Sequence, residues 1–195
     1  MGIGIAITGL NGVGKSTLAH ALAAELHYFE MDGEDYYFPE QKHSRQMALG
    51  HRAVSPCDHL GTLPFSIPRL SSEAQQALLR DVAEHPNFIL ADVTLRWCKE
   101  ILPQINMAFM IRVPAEERIK RIMEREELRF GTRVLPGGDM YQQQRAFHEK
   151  TARRDEKIVL EGMHGLKCPV IMLDGMRAVS QNLETAMHHI LSIIH

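Results

Sequence analysis

A chain of 195 residues with 45% apolar and 24% charged residues has the make-up of one folded domain and excludes a disordered polymer. Its 22 basic and 24 acidic residues leave a net charge of -2, without the basic excess of a nucleic-acid-binding domain. Cys57, Cys98 and Cys168 are far apart and fit no metal or redox spacing, which points to a reducing, cytoplasmic setting.

In chain order, short apolar runs alternate with longer amphipathic stretches. The runs cover residues 3–8, 28–31, 88–92, 107–113 and 169–173. Continuous apolar runs, as opposed to alternating ones, are the pattern of strands buried on both faces, so these five predict a parallel sheet. Helices are predicted over 15–27, 72–84, 115–128 and 178–194. In the first, Leu18, Leu22 and Leu26 fall four apart on one face. In the third, Glu116 faces Lys120 and Glu117 faces Arg121 one turn on. The alternation predicts a three-layer α/β domain with helices on both faces of a five-stranded parallel sheet. Residues 38–70 and 129–140 break the rhythm with prolines and glycines, and loops of that length read as binding loops or lids. No targeting signal is expected at the start, where the apolar run is too short to span a bilayer.

The first strand leads into Gly9-Leu-Asn-Gly-Val-Gly14-Lys15-Ser16, which fills every fixed position of G-x-x-x-x-G-K-[ST], and a helix follows. Glycines let successive backbone N–H groups converge on phosphate oxygens, and the helix N-terminus adds its positive end. Gly9, Asn11, Gly12, Val13, Gly14, Lys15, Ser16 and Thr17 are therefore the expected nucleotide contacts. Lys15 is expected on the β- and γ-phosphates and the Ser16 hydroxyl on Mg²⁺. The glycine order is not that of a dinucleotide-binding turn.

Ligands of open parallel sheets sit beyond the carboxyl ends of the strands, where two acidic groups fall. Asp32 follows the second run and Asp92 ends the third. Each is a candidate catalytic carboxylate, Asp32 as a base near the transferred group and Asp92 also as a Mg²⁺ ligand. Asp35 is a candidate for the acceptor, and Glu34 is expected to face solvent. Eight of the fifteen arginines lie within residues 118–154, and Arg125, Arg129 and Arg133 are spaced by four into the glycine-containing loop. Guanidinium groups offset the charge of a transferring phosphoryl group, so Arg129 and Arg133 are catalytic candidates and Arg125 a nucleotide contact. Arg153 and Arg154 follow as weaker candidates. Arg69 and Arg96 are candidates for acceptor binding. His43, His51 and His59 and the arginines Arg45 and Arg52 lie in the irregular stretch.

On these residues the chain resembles the small P-loop kinases, the group of nucleoside monophosphate, shikimate and gluconate kinases. Gly9 to Thr17 matches the group closely, and Phe29-Glu-Met-Asp-Gly-Glu-Asp-Tyr-Tyr-Phe-Pro-Glu is similar to the gluconate kinase stretch after the second strand. Asp92-Val-Thr-Leu-Arg96 is similar at its two ends to an adenylate kinase stretch whose arginine binds acceptor phosphate. The resemblance implies a single P-loop kinase domain over residues 1–195, an acceptor segment at about 33–70 and a lid at about 125–140. It implies ATP, Mg²⁺ and phosphoryl transfer to a small molecule, with no nucleic-acid or membrane partner, by a monomer or homodimer. A hydroxyl acceptor (sugar acid, cyclitol or nucleoside) is the first expectation. A nucleoside monophosphate acceptor is the alternative, and an ATPase without small-molecule acceptor a third.

Overall fold

The computed structural model describes residues 2–42, 63–65 and 67–194. The calls on His43, Arg45, His51, Arg52, Cys57 and His59 fall outside them. Chain order runs β1 (Gly4–Thr8), α1 (Lys15–Leu26), β2 (Phe29–Asp32), α2 (Gly33–Tyr37), α3 (Ser71–Glu84), β3 (Phe88–Ala91), β4 (Ile105–Arg112), α4 (Ala115–Phe130), α5 (Tyr141–Ala152), α6 (Lys157–Gly162), β5 (Val170–Asp174) and α7 (Val179–Ile194). The five strands form one parallel sheet in the order β2-β3-β1-β4-β5. The predicted fold class holds: a three-layer α/β P-loop fold.

Register follows from the apolar runs. Ile5 of β1 lies beside Ile89 of β3 and Met107 of β4, and Ile7 beside Ala91 and Phe109. Side chains alternate across a strand, so each face of the sheet needs its own cover. On one face Ile5, Ile7, Ile89 and Phe109 pack with Leu18 and Leu22 of α1 and Ala186 and Ile190 of α7. On the other, Ala6, Leu90 and Ala108 pack with Leu78 and Val82 of α3 and with Leu95 and Ile101. Full burial of a leucine such as Leu22 or Leu78 contributes roughly 1.5–3 kcal/mol, so these layers hold the strand ends in place.

The expected helix from 115 extends to Phe130, and the stretch after it holds a short 3-10 turn at Gly131–Val134 before α5 begins. The link from β3 to β4 uses 3-10 turns at Leu95–Trp97 and Lys99–Gln104 instead of a long helix. Among the described residues Cys98 and Cys168 are free thiols. No described helix is long and apolar enough to cross a membrane.

Candidate nucleotide and acceptor site

The loop between β1 and α1 sits at the carboxyl end of the central strand. Gly12 lies at φ 84, and a Cβ there would meet the Arg118 carbonyl oxygen at 2.5 Å, so α4 presses directly on the loop. Two arginines tie its tip down. Arg118 donates to the Asn11 carbonyl at 3.3 Å, and Arg154 donates to Asn11 Oδ1 at 2.7 Å. Asn11 is thus a brace for the loop as well as an expected contact, while Val13 is a core residue, only 3% exposed.

Lys15 opens α1 and donates to the Leu10 carbonyl at 3.1 Å. Burial lowers its pKa to about 8, against the pull of the Asp32 and Asp92 carboxylates. Ser16 Oγ donates to Asp32 Oδ2 at 2.6 Å, and Asp32 Oδ1 accepts the Glu34 N–H at 3.0 Å as the cap of α2. Asp92 accepts from the Val93 N–H at 2.7 Å and from the Trp97 indole N–H. Burial pushes its pKa up to about 6, with the Trp97 hydrogen bond opposing. A Cβ at residue 33 would lie 2.7 Å from the Asp92 carboxyl carbon, so only glycine lets α2 start this close to it.

Asp32, not Asp92, therefore stands against the Ser16 hydroxyl. Two hard oxygen donors in contact suit Mg²⁺, which usually leans on one or two protein groups and the substrate phosphates. Among the described residues no group of three or more His, Cys, Asp or Glu side chains could hold a metal by itself.

A cavity of about 250 Å³ opens over the loop, lined by Gly12, Gly14, Lys15, Ser16, Thr17, Glu34, Arg121, Ile122, Arg125 and Arg129. Glu34 is in this cavity, contrary to the expectation that it faces solvent. As the second residue of a capped turn, its direction is set by Asp32. Burial raises the Glu34 pKa from its ordinary value, while Arg125 pulls the other way. The available signal was its position two residues beyond an aspartate able to cap, which reading residue types alone passes over.

Of the three arginines spaced by four, Arg125 and Arg129 line the cavity and Arg133 does not. The helix ends at Phe130, so the periodicity that would have carried Arg133 onto the same face is broken. Arg133 instead forms a fork with Asp139, at 3.0 and 2.8 Å. The Arg129 side chain is 2% exposed, 3.6 Å from Glu126 and over the rings of Phe65 and Phe130, 5.2 Å from each centroid. Phe65 holds φ 60, a strained value for an aromatic residue, with Phe38 edge-on at 5.3 Å between centroids.

Three other candidates lie apart from this cavity. Asp35 and Arg69 line a separate pocket of about 160 Å³ together with Asp32, Lys42 and Asp81. Arg96 pairs with Glu161 at 3.2 Å and lines a third cleft with Lys99 and His164, away from both. Arg96 belongs to the 3-10 turn at Leu95–Trp97. Arg153 is exposed.

A family model described as an AAA domain matches residues 5–129. The Bacillus subtilis (strain 168) protein named "Uncharacterized protein YqaC" is 24% identical over 196 residues, covering 96% of this chain and 97% of that one. Deoxyadenosine kinase from M. mycoides, a structure with dCMP and a flexible dCDP bound, superposes with a TM-score of 0.55 at 18% identity, covering 97% of this chain and 100% of the other. Shikimate kinase from Aquifex aeolicus does so at 0.50 and 13% identity, covering 98% of each. The fold is thus that of the small P-loop kinases.

Proposed function

The chain belongs to the AAA domain family, and from that premise and the site geometry we propose that it is an ATP-dependent kinase acting on a hydroxyl of a small molecule. One observation carries the reading. The phosphate-loop lysine, an acidic side chain and three arginines from a different helix line one cavity. A carboxylate beside the expected γ-phosphate position can take the proton of an attacking hydroxyl, which is what transfer to a hydroxyl acceptor needs.

Lys15 and the loop N–H groups hold the β- and γ-phosphates. Arg125 and Arg129 face them from α4 and offset charge as it spreads over the transferring group. Ser16 and Asp32 would hold Mg²⁺, which supplies further charge neutralisation on the phosphate oxygens when bound. That leaves Glu34 as the base. Asp32 is engaged by the Ser16 hydroxyl and the Glu34 N–H, whereas Glu34 presents its carboxylate to the cavity. Burial raises its pKa, which makes it a stronger base toward the proton of an attacking hydroxyl. The same carboxylate disfavours a phosphate acceptor, because Glu34, Asp32 and Asp35 would repel a second anion. Asp92, held by Trp97 and Val93, orients the floor of the site beside Gly33.

The test is ADP formation from ATP and Mg²⁺ with and without added nucleosides, sugars, sugar acids, cyclitols and nucleoside monophosphates. Acceptor-dependent ADP release, with phosphate recovered on the acceptor hydroxyl, is the expected result. Steady hydrolysis that no acceptor stimulates would overturn the proposal in favour of an ATPase.

A further inference from the structure

Arg129 sits in the last turn of α4, lines the nucleotide cavity and has a side chain only 2% exposed. A charged side chain that deep needs compensation, because burial strips the water from its charge. Glu126 supplies part of it at 3.6 Å, but the same carboxylate also accepts from Arg125 Nε at 2.8 Å. Two rings add to it. Phe65 and Phe130 stand at 90° to one another with centroids 6.2 Å apart, and the Arg129 guanidinium carbon lies in that corner, 5.2 Å from each centroid. Ring faces carry the negative end of an aromatic quadrupole, so they attract a cation without accepting its N–H groups as an oxygen would. A second carboxylate in their place would offset the charge of the arginine and repel the phosphates it faces. Rings hold the cation and leave its charge intact.

Phe130 follows Arg129 in the chain, so its ring arrives with the helix. Phe65 comes from the stretch between α2 and α3, and its backbone is strained to be there. It holds φ 60, which a bulky side chain adopts only where its surroundings impose it. Three elements do so. Phe38, just beyond α2, meets the Phe65 ring edge-on at 5.3 Å, and Phe130 of α4 meets it at right angles. Gln143 of α5 donates its Nε2 to the neighbouring Pro64 carbonyl at 2.8 Å. Contacts from α4, α5 and the end of α2 thus converge to set one ring against one arginine.

We propose that Phe65 is a positioning residue whose ring fixes the Arg129 guanidinium toward the third phosphate of the bound nucleotide. This rests on the reading above of Arg129 as a partner of the transferring group, and adds what holds it in place.

Calorimetric titration with Mg·ADP and with Mg·β,γ-imido-ATP tests it, since only the second carries a third phosphate and neither needs an acceptor. The ratio of the two Kd values reads the grip on that phosphate. Phe65→Leu, which keeps apolar bulk and removes the ring, should lower the preference for imido-ATP roughly five- to tenfold while the Mg·ADP Kd stays within about twofold. Phe65→Tyr, which keeps the ring, should retain the preference, and Arg129→Ala should lower it at least as far as Phe65→Leu does. In the double variant the loss should be no greater than in Arg129→Ala alone, because a residue acting through Arg129 then has nothing to act on. A ring needed only for packing would give additive losses. An unchanged preference in Phe65→Leu or in Arg129→Ala, equal losses in the Leu and Tyr variants, additive losses in the double variant, or loss of Mg·ADP binding in Phe65→Leu each overturns the inference. The expected nucleotide results in a protein whose ADP release no acceptor stimulates would leave Phe65 in its place and sink the kinase reading instead.

Discussion

The phosphate loop and the α4–α5 seam are both polar and both enclosed, but they are built on opposite terms. Around the loop most polar groups have partners within the chain: Ser16 with Asp32, Asp32 with the Glu34 N–H, Asp92 with Trp97 and Val93, Asn11 with Arg118 and Arg154. In the seam the sealed atoms of Glu126, Gln144, His148 and Thr151 lack them. A pre-organised site meets its ligand with little rearrangement, as the charge stabilisation of phosphoryl transfer requires. A region left with unmet groups gains from opening or from being filled. The first arrangement suits chemistry.

The sharpest way to break that division is at the loop itself. Lys15→Ala should abolish phosphoryl transfer, by about 10³-fold or more in kcat, and robust turnover would remove Lys15 from its role. Next, Glu34→Gln should lower kcat by about 10²–10⁴-fold with ATP affinity kept, whereas Asp32→Asn should mainly raise the Mg²⁺ concentration needed. If the two variants behaved alike in both assays, the separation of base from metal-side carboxylate would collapse. Arg129→Ala should cut kcat by roughly 10²-fold, and an unchanged rate would make it a structural partner of Glu126.

A pH series sharpens the same contrast with a smaller effect. The folded Lys15 pKa, about 8, is below its usual 10.5, so the fold favours the neutral amine. Between those values the unfolded chain binds more protons than the folded one, so this group adds stability to the free protein as pH rises from 8 to 10.5. That contribution is lost as pH falls through 8. Phosphate needs the ammonium, so ATP affinity should decline above pH 8 while Tm of the nucleotide-free protein gains from this group. Affinity that rises above pH 8 would contradict the assignment. Smallest of all, Arg133→Ala and Arg96→Ala should each change kcat less than about twofold, since both pair with exposed carboxylates away from the nucleotide cavity. A large loss in either would show that its ion pair opens during turnover.

Much of this molecule was legible before any coordinates. Five uninterrupted apolar runs meant a parallel sheet, because only strands covered on both faces tolerate such runs, and the glycine-lysine-serine motif located the loop between β1 and α1. Those signals are local: each lies within a single strand, helix or turn. The placements of Glu34 inside the nucleotide cavity and of Arg133 and Arg96 outside it were not legible for the opposite reason. Whether Glu34 faces a cavity depends on Asp32 capping a five-residue helix, and whether Arg133 joins Arg125 and Arg129 depends on where α4 stops.

By itself the sequence determined the order of elements, the sheet and the place of the P-loop, since hydrophobic periodicity and a contiguous motif are written along one stretch of chain. Only the tertiary structure decided which carboxylate meets the serine hydroxyl, which arginines enter the cavity, and that the interior of two helices is polar and incompletely paired. Those are matters of side chains brought together from 16 to 143 residues apart, as Ser16 and Asp32 or Asn11 and Arg154 are, and no local pattern records such meetings.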